Sequence, residues 1–227
     1  MPRYCRLPTC ELPRGAKIGF TYQTMTVNPA RFLPWIKKDL ETRGVRFIRK
    51  EIESMEEAEQ ASGCRILVHA SGLGAAQLAR DKNVIAIRGQ TMFLEHDFDE
   101  LVMLQGSQYT YVIPRMYTGG VIIGGVSQEG NLDQDVDEDL RSDILERAKK
   151  LSPGSFDSVD LKDNKIKNIV GFRPGRKGGY RLEAEGNVVH AYGFGGLGFI
   201  YSYGAAAKVR DLVNSLAQGR DVSRSRL

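Results

Sequence analysis

The chain of 227 residues holds only three cysteines, three histidines and one tryptophan. Cys5, Cys10 and Cys64 make neither a Cys-x-x-Cys pair nor an even, closely spaced set, which excludes a disulfide framework and fits a reducing, intracellular compartment. His69, His96 and His190 lie far apart, and no metal-ligand spacing of His, Cys, Asp or Glu occurs. No apolar run is long enough to span a bilayer, and the opening residues do not read as a secretory leader. The net charge of +4 comes from dispersed Lys and Arg, without a long basic run or interleaved aromatics, which argues against nucleic acid as a partner. Internal repeats and low-complexity linkers are also missing.

What is present describes a globular chain: 41% hydrophobic and 26% charged residues, enough for one large domain or two small ones. Its most informative stretch is an apolar strand, Asn187 to Tyr192, followed by Gly193-Phe194-Gly195-Gly196-Leu197-Gly198 and a helix from Phe199 to Leu216. The glycines fit G-x-G-x-x-G. At a strand-to-helix turn they let backbone approach a ligand, and the helix start offers free N–H groups and positive dipole to an anionic or electron-rich cofactor. A tight turn with close helix packing explains the same residues. A dinucleotide-binding unit would place the motif at the start of a βαβ unit, with an acidic residue about 20 positions on; here the chain ends soon after the helix.

Residues 1–16, with Pro2, Pro13 and Gly15, read as irregular. Lys17 to Val27 alternates as a strand does, and Asn28-Pro29 opens a helix that Gly44 closes. Phe32, Trp35, Ile36 and Leu40 recur at helical spacing, so Trp35 is expected in the core. Val45 to Ile52 reads as a strand and Ser54 to Ser62 as a charged helix. Arg65 to Ala70 is a nearly continuous apolar run suited to a buried parallel strand, and it enters a second glycine turn, Ser71-Gly72-Leu73-Gly74, and a helix to Arg80. His69 and His190 sit inside apolar strands, where packed, hydrogen-bonded histidines are expected. Val84 to Phe93 is a strand broken at Arg88-Gly89-Gln90; Tyr109 to Pro114 and Val121 to Ile123 form a hairpin. The acidic stretch from Asp133 leads a polar helix to Leu151, with a solvated face. Ile166 to Phe172 and Tyr180 to Glu183 are further strands. Parallel βα units thus enclose an antiparallel middle, which suggests two interleaved substructures. The chain closes with Ser225-Arg226-Leu227, a variant of the Ser-Lys-Leu peroxisomal address.

Arg88-Gly89-Gln90-Thr91, Tyr111-Val112-Ile113-Pro114-Arg115, Gly171-Phe172-Arg173-Pro174, the two glycine turns and the Ser-Arg-Leu tail occur in one order. In that order they resemble the FAD-dependent D-amino acid oxidase family, in its fungal-like form, from about Lys17 to the C-terminus. The resemblance covers the C-terminal two thirds of the family's chain. The opening strand, G-x-G-x-x-G turn and helix that hold the FAD pyrophosphate have no counterpart, on the order of half a dinucleotide-binding domain. The fold implied is α/β with α+β character: a partial FAD-binding Rossmann-like substructure interleaved with an antiparallel-sheet substrate domain. Residues 1–34 would be an opening segment and substrate-domain strand, 35–83 and 163–219 parts of the FAD-binding domain, 84–162 the substrate-binding sheet and 220–227 the tail.

The resemblance implies FAD as cofactor and oxidative deamination of D-amino acids. The substrate Cα gives a hydride to flavin N5, dioxygen reoxidises the flavin to yield hydrogen peroxide, and the imino acid hydrolyses. No residue is implied as a catalytic acid or base. Arg173 matches the arginine that grips the substrate carboxylate, a task for two parallel guanidinium bonds, and Tyr111 the tyrosine whose hydroxyl supports it; a charged-loop arginine and a packed strand tyrosine are the alternatives. Ser107 stands where some members have a second active-site tyrosine. Gly196 would meet the substrate amine, and Gly195, Gly196, Leu197, Gly198, Phe199 and Ile200 would line the flavin, Ile200 replacing a common polar contact. Ile52, Ser71 and Gly72 match residues beside the adenosine half, and Arg88-Gly89-Gln90 joins the substructures. Implied partners are a D-amino acid, dioxygen and the peroxisomal import receptor through Ser225, Arg226 and Leu227; neither nucleic acid nor membrane is implied, and a homodimer is left open. D-Aspartate oxidation, which Arg115 would suggest, a solvent-facing arginine being the equal alternative, and a non-catalytic remnant that binds no FAD are the other readings.

Overall fold

The computed structural model describes residues 1–219; the tail with Ser225, Arg226 and Leu227 lies outside the described residues. In chain order the elements are β1 (Cys5–Arg6), β2 (Phe20–Thr21), α1 (Pro29–Thr42), α2 (Met55–Ser62), β3 (Leu67–His69), α3 (Ala75–Leu78), β4 (Val84–Leu94) and β5 (Val102–Leu104). There follow β6 (Thr110–Pro114), β7 (Val121–Gly124), β8 (Gln128–Glu129), α4 (Glu138–Leu151), β9 (Lys167–Arg176), β10 (Arg181–Glu185), β11 (Val188–Tyr192) and α5 (Gly198–Ala217). The chain forms two compact units. The first comprises Met1–Arg46, Gly89–Ser127 and Asp133–Gly171; the second comprises Phe47–Arg88, Gln128–Leu132 and residues 172–219.

In the first unit β5, β6, β7 and the second half of β4 lie antiparallel in that order. Val112 stands opposite Val102 and Ile123, Met92 opposite Ile123, and Leu94 opposite Val121. Period-2 alternation therefore collects these apolar side chains on one face. Ile144, Leu145 and Ala148 of α4 pack onto that face together with Phe156. The helix starts where Asp137 accepts the Leu140 N–H at 2.9 Å, with Glu138 and Asp139 in its first turn and Lys149 and Lys150 in its last, as the dipole favours. The buried Gln90 amide holds this cap to β4, accepting the Asp137 N–H (3.0 Å) and donating to its carbonyl (2.7 Å). Arg147 runs inward from α4, paired with Asp143 at 2.9 Å. It donates to the Tyr109 carbonyl and, at 3.2 Å each, to Thr110 Oγ1 and the Gly125 carbonyl.

The N-terminal part differs from the sequence expectation. Residues 1–16 are not wholly irregular, because Cys5 and Arg6 pair with Thr21 and Phe20. The strand expected over 17–27 shrinks to that two-residue partner, and no strand forms over 45–52. Alternating residues become a strand only where another strand supplies the ladder. Helix α1 lies within its expected bounds, but none of its residues is buried and Trp35 is 63% exposed. Periodicity gives a helix an apolar face; it does not cover that face. Asn28 leaves the start of α1 without a side-chain cap and donates instead to the Met116 carbonyl (3.2 Å) and Thr118 Oγ1 (3.1 Å).

The second unit holds a three-stranded sheet, β10-β11-β3. The β10–β11 hairpin is antiparallel; β11 and β3 are parallel, with Val189 beside Val68 and His190 beside His69. The parallel strand expected near Arg65–Ala70 is present but only partly buried, since Val68 remains half exposed. Strand β4 runs unbroken through Arg88-Gly89-Gln90, and its first half pairs with β8. Helix α2 begins as a reciprocal cap: Ser54 Oγ accepts the Glu57 N–H (3.1 Å) and Glu57 accepts the Glu53 N–H (2.9 Å). Leu212 is the one residue of α5 that is fully enclosed.

The two faces predict opposite outcomes on truncation. Ile144→Ala, at a fully buried site, is expected to cost about 2–5 kcal/mol in urea unfolding followed by circular dichroism. Trp35→Ala should cost less than about 0.5 kcal/mol. Equal losses would contradict this account of the core.

Candidate functional site

The C-terminal glycine run is built as the sequence suggests. Strand β11 ends at Tyr192, and Gly193 follows with φ +86°. A Cβ at Gly193 would stand 2.7 Å from Arg176 Cβ, so glycine is what lets the end of β11 lie against the end of β9. Beyond it Gly175 and Phe194 form an antiparallel bridge. Gly195–Leu197 makes one 3-10 turn, and α5 starts at Gly198 without a side-chain cap. The first turn of a helix of twenty residues thus keeps backbone N–H groups for a ligand.

Arg173 lies on β9 beside this loop. A Cβ on Gly196 would come 3.4 Å from Arg173 Cδ and 3.8 Å from its Nε, so the arginine stem runs along bare glycine backbone. The second glycine turn reaches the same strand: Gly72, with φ +61°, faces Pro174, whose Cβ is 3.5 Å from where a Gly72 side chain would begin. Ser71, Gly72, Arg173 and the segment from Gly195 to Ile200 are therefore gathered around one strand end. Leu197, Phe199 and Ile200 are exposed there, Ile200 by 74%. Ile52 lies half-buried in the irregular segment ahead of α2 and is not among the side chains these contacts gather. Tyr111 belongs to the first unit, where it is buried in β6. Its ring stands 2.5–2.8 Å from the positions side chains at Gly124 and Gly125 would take, and 5.5 Å from the Tyr109 ring. Arg115, half-buried, donates to the Val27 carbonyl at 3.1 Å.

Behind the second glycine turn lies a histidine pair. His69 Nδ1 and His190 Nδ1 are 3.0 Å apart, and His69 Nε2 is 2.6 Å from Ser71 Oγ. His190 Nε2 faces Glu185 at 3.6 Å. One assignment satisfies every contact: Ser71 O–H donates to His69 Nε2, His69 Nδ1–H donates to His190 Nδ1, and His190 Nε2–H points to Glu185. Both rings are then neutral. Burial, followed by the nearby Arg181 charge, lowers the pKa of His69. For His190 burial, Arg181 and His69 outweigh Glu185 and Glu183 and bring it down to about 4. The histidines were expected as packed and hydrogen-bonded; that they bond each other was hidden, because 121 residues separate them. Asp81 was missed altogether: in Arg80-Asp81-Lys82-Asn83 it reads as part of a charged turn.

This constellation fits a flavin. Open glycine backbone, an uncapped helix start and exposed apolar side chains at its rim suit a planar ring with an electron-rich edge, and the guanidinium alongside suits a carboxylate. Among the described residues no group of His, Cys, Asp and Glu could hold a metal ion. No helix among them is long and apolar enough to cross a membrane.

Comparison with known proteins bears on the family and the fold. The family model DAO, FAD dependent oxidoreductase, matches residues 6–212. The D-aspartate oxidase of Talaromyces thermophilus is 33% identical over 218 residues, covering 91% of this chain and 57% of that protein. The D-amino-acid oxidase of Schizosaccharomyces pombe is 34% identical over 215 residues, covering 88% and 61%. The chain thus spans 57–61% of the length of these curated relatives. Among solved structures, glycine oxidase from Bacillus cereus shares the fold over 71% of this chain and 45% of that one, with a TM-score of 0.57 at 17% identity. Glycine oxidase from Geobacillus kaustophilus gives 0.56 at 22% identity, over 70% of this chain and 42% of that one.

The buried pair makes stability depend on pH with a definite sign. Folded pKa values below the free-histidine value of 6.5 mean that the unfolded chain binds more protons, so the contribution is complete above pH 6.5 and is lost as pH falls toward about 4. Thermal melts between pH 7.5 and 4 should show this decline, and it should flatten in the double variant His69→Gln, His190→Gln. A wild-type melting temperature level across that range would contradict the neutral pair.

Proposed function

The chain belongs to the DAO family of FAD-dependent oxidoreductases, and we propose that its activity is the oxidative deamination of D-amino acids. The observation that carries this reading is Arg173 laid along the open backbone of Gly196, next to the uncapped start of α5. The guanidinium binds the substrate carboxylate through two parallel bonds and so fixes which face of Cα is presented. The Gly196 backbone, bare of a side chain, receives the amino group. The start of α5, with its partial positive charge, would face the electron-rich edge of a bound flavin. Leu197 and Phe199 exclude water from that edge. Bound FAD would supply the redox chemistry for the substrate these residues hold: acceptance of the Cα hydride and return of the electrons to dioxygen as hydrogen peroxide, the imino acid then hydrolysing to a 2-oxo acid and ammonia. A role for Tyr111 at the substrate stands on the family resemblance; within its own unit the ring is fixed by Gly124 and Gly125. Acidic D-amino acids form the second reading, favoured by the likeness to a D-aspartate oxidase. We infer, too, that Ser225-Arg226-Leu227 directs the protein to peroxisomes through their import receptor.

The purified chain incubated with FAD and freed of excess is expected to keep an absorbance band near about 450 nm that D-alanine bleaches without oxygen. Arg173→Ala should raise KM by about 10- to 100-fold, the loss of a charged hydrogen-bond pair. Faster bleaching by D-aspartate would assign the acidic substrate class. A chain that retains no flavin would overturn the proposal in favour of a non-catalytic remnant. For the address, removal of the last three residues should turn a punctate distribution of the fluorescently tagged protein diffuse; an unchanged distribution would refute it.

A further inference from the structure

Arg173 and the glycine loop both sit at strand ends, and one residue outside the site holds those ends together. Asp81 lies in the connection from α3 to β4, with its side chain only 7% exposed. Its Oδ1 accepts the Asn83 N–H at 2.9 Å; its Oδ2 accepts Arg176 Nε at 2.7 Å and the Tyr192 hydroxyl at 2.8 Å. The Lys177 N–H also donates to the Asn83 carbonyl, at 2.8 Å. Arg176 is three residues past Arg173 on β9, and Tyr192 is the last residue before Gly193. The Arg176 stem fills the space that Gly193 leaves open.

We infer that Asp81 is a positioning residue for substrate binding: its carboxylate clamps the end of β9 to the end of β11 and thereby fixes Arg173 against Gly196. The inference rests on the reading of Arg173 as the carboxylate-binding residue. The alternatives to a carboxylate fail on donor counting. Asparagine with its oxygen toward the Asn83 N–H turns its NH2 toward Arg176 Nε–H and the Tyr192 hydroxyl. Tyr192 can rotate its hydrogen away and accept, whereas a guanidinium has nothing to accept with. Flipping the amide moves the conflict to the Asn83 N–H. Burial would raise the Asp81 carboxyl, but the bonds from Arg176, the Asn83 amide and Tyr192 outweigh it and hold it down at about 2. The clamp therefore stays closed across the ordinary pH range. Arg181 adds a 3.3 Å bond to the Tyr192 hydroxyl, which accepts there while donating to Asp81.

The test compares the full chain with its Asp81→Asn and Tyr192→Phe variants by amide hydrogen exchange and, with FAD and D-alanine, by steady-state kinetics. Exchange over 172–180 and 190–199 should speed up by about 10-fold in Asp81→Asn and over 190–199 in Tyr192→Phe, with 138–151 unchanged. KM for D-alanine should rise by about 10-fold in Asp81→Asn while kcat changes less than about 3-fold, alike at pH 6 and pH 8.5. Unchanged exchange in the two segments would overturn the inference. So would faster exchange everywhere with kcat and flavin retention falling together, the pattern of a purely structural role. Should Asp81→Asn fail to fold, Tyr192→Phe, which keeps the ring, decides by exchange over 190–199 and by KM for D-alanine: both unchanged would overturn the inference. If wild type retains no flavin, the functional reading fails, while the exchange result still decides the clamp.

Discussion

Asp81 keeps a negative charge where little water reaches, and the donors that replace that water come from three separate stretches of chain: the Asn83 amide, Arg176 and Tyr192. A buried carboxylate demands full compensation, because removing one donor strands the charge. The ends of β9 and β11 thus meet at a fixed point before packing is considered. Once they meet, the Gly175–Phe194 bridge and the bare face of Gly196 follow from strand geometry. The chemistry of the site depends on this register, since a one-residue slip of β9 would turn Arg173 to the other side of its strand.

The two units answer the problem of buried polarity differently. In the first, an apolar sheet face and α4 make a core beside which Arg147 pairs with Asp143 and meets carbonyl and hydroxyl oxygens at the start of β6 and just beyond β7. In the second, the apolar interior is small, and ordered polar contacts occupy its place. These are the His69–His190 pair, Asp81 with Arg176, and Arg181 with Tyr192. Such networks specify one arrangement sharply because each member has few alternative partners.

Glycine turns, helix limits and parallel pairing were legible in the sequence because each has a local cause. Gly193 and Gly195 mark positive φ, Asn28-Pro29 and Gly44 bracket α1, and the apolar Arg65–Ala70 run signals a strand with a parallel neighbour. Burial was less legible. Trp35 and the 45–52 segment have the right periodicities, yet whether a face is covered depends on distant chain. Of the candidate site, Arg173, Gly72 and Gly196 could be named from their motifs. Their convergence on one strand end could not, nor could the role of Asp81, whose partners lie 95 and 111 residues away. Local sequence announces what a backbone can do; the balancing of buried charge appears only when remote segments come together.

The contact of Tyr111 with Gly124 and Gly125 has an evolutionary consequence. The ring occupies the volume that two side chains would claim. Within a close-packed interior that volume is neither lost nor gained cheaply. These positions therefore behave as a single inherited character: alanine at either glycine is admissible only after the aromatic shrinks or moves, and a small residue at 111 leaves a hole until a glycine gains bulk. Drift through this hairpin has to proceed by paired replacements, so a lineage that changes Tyr111 carries the record of that change on the neighbouring strand.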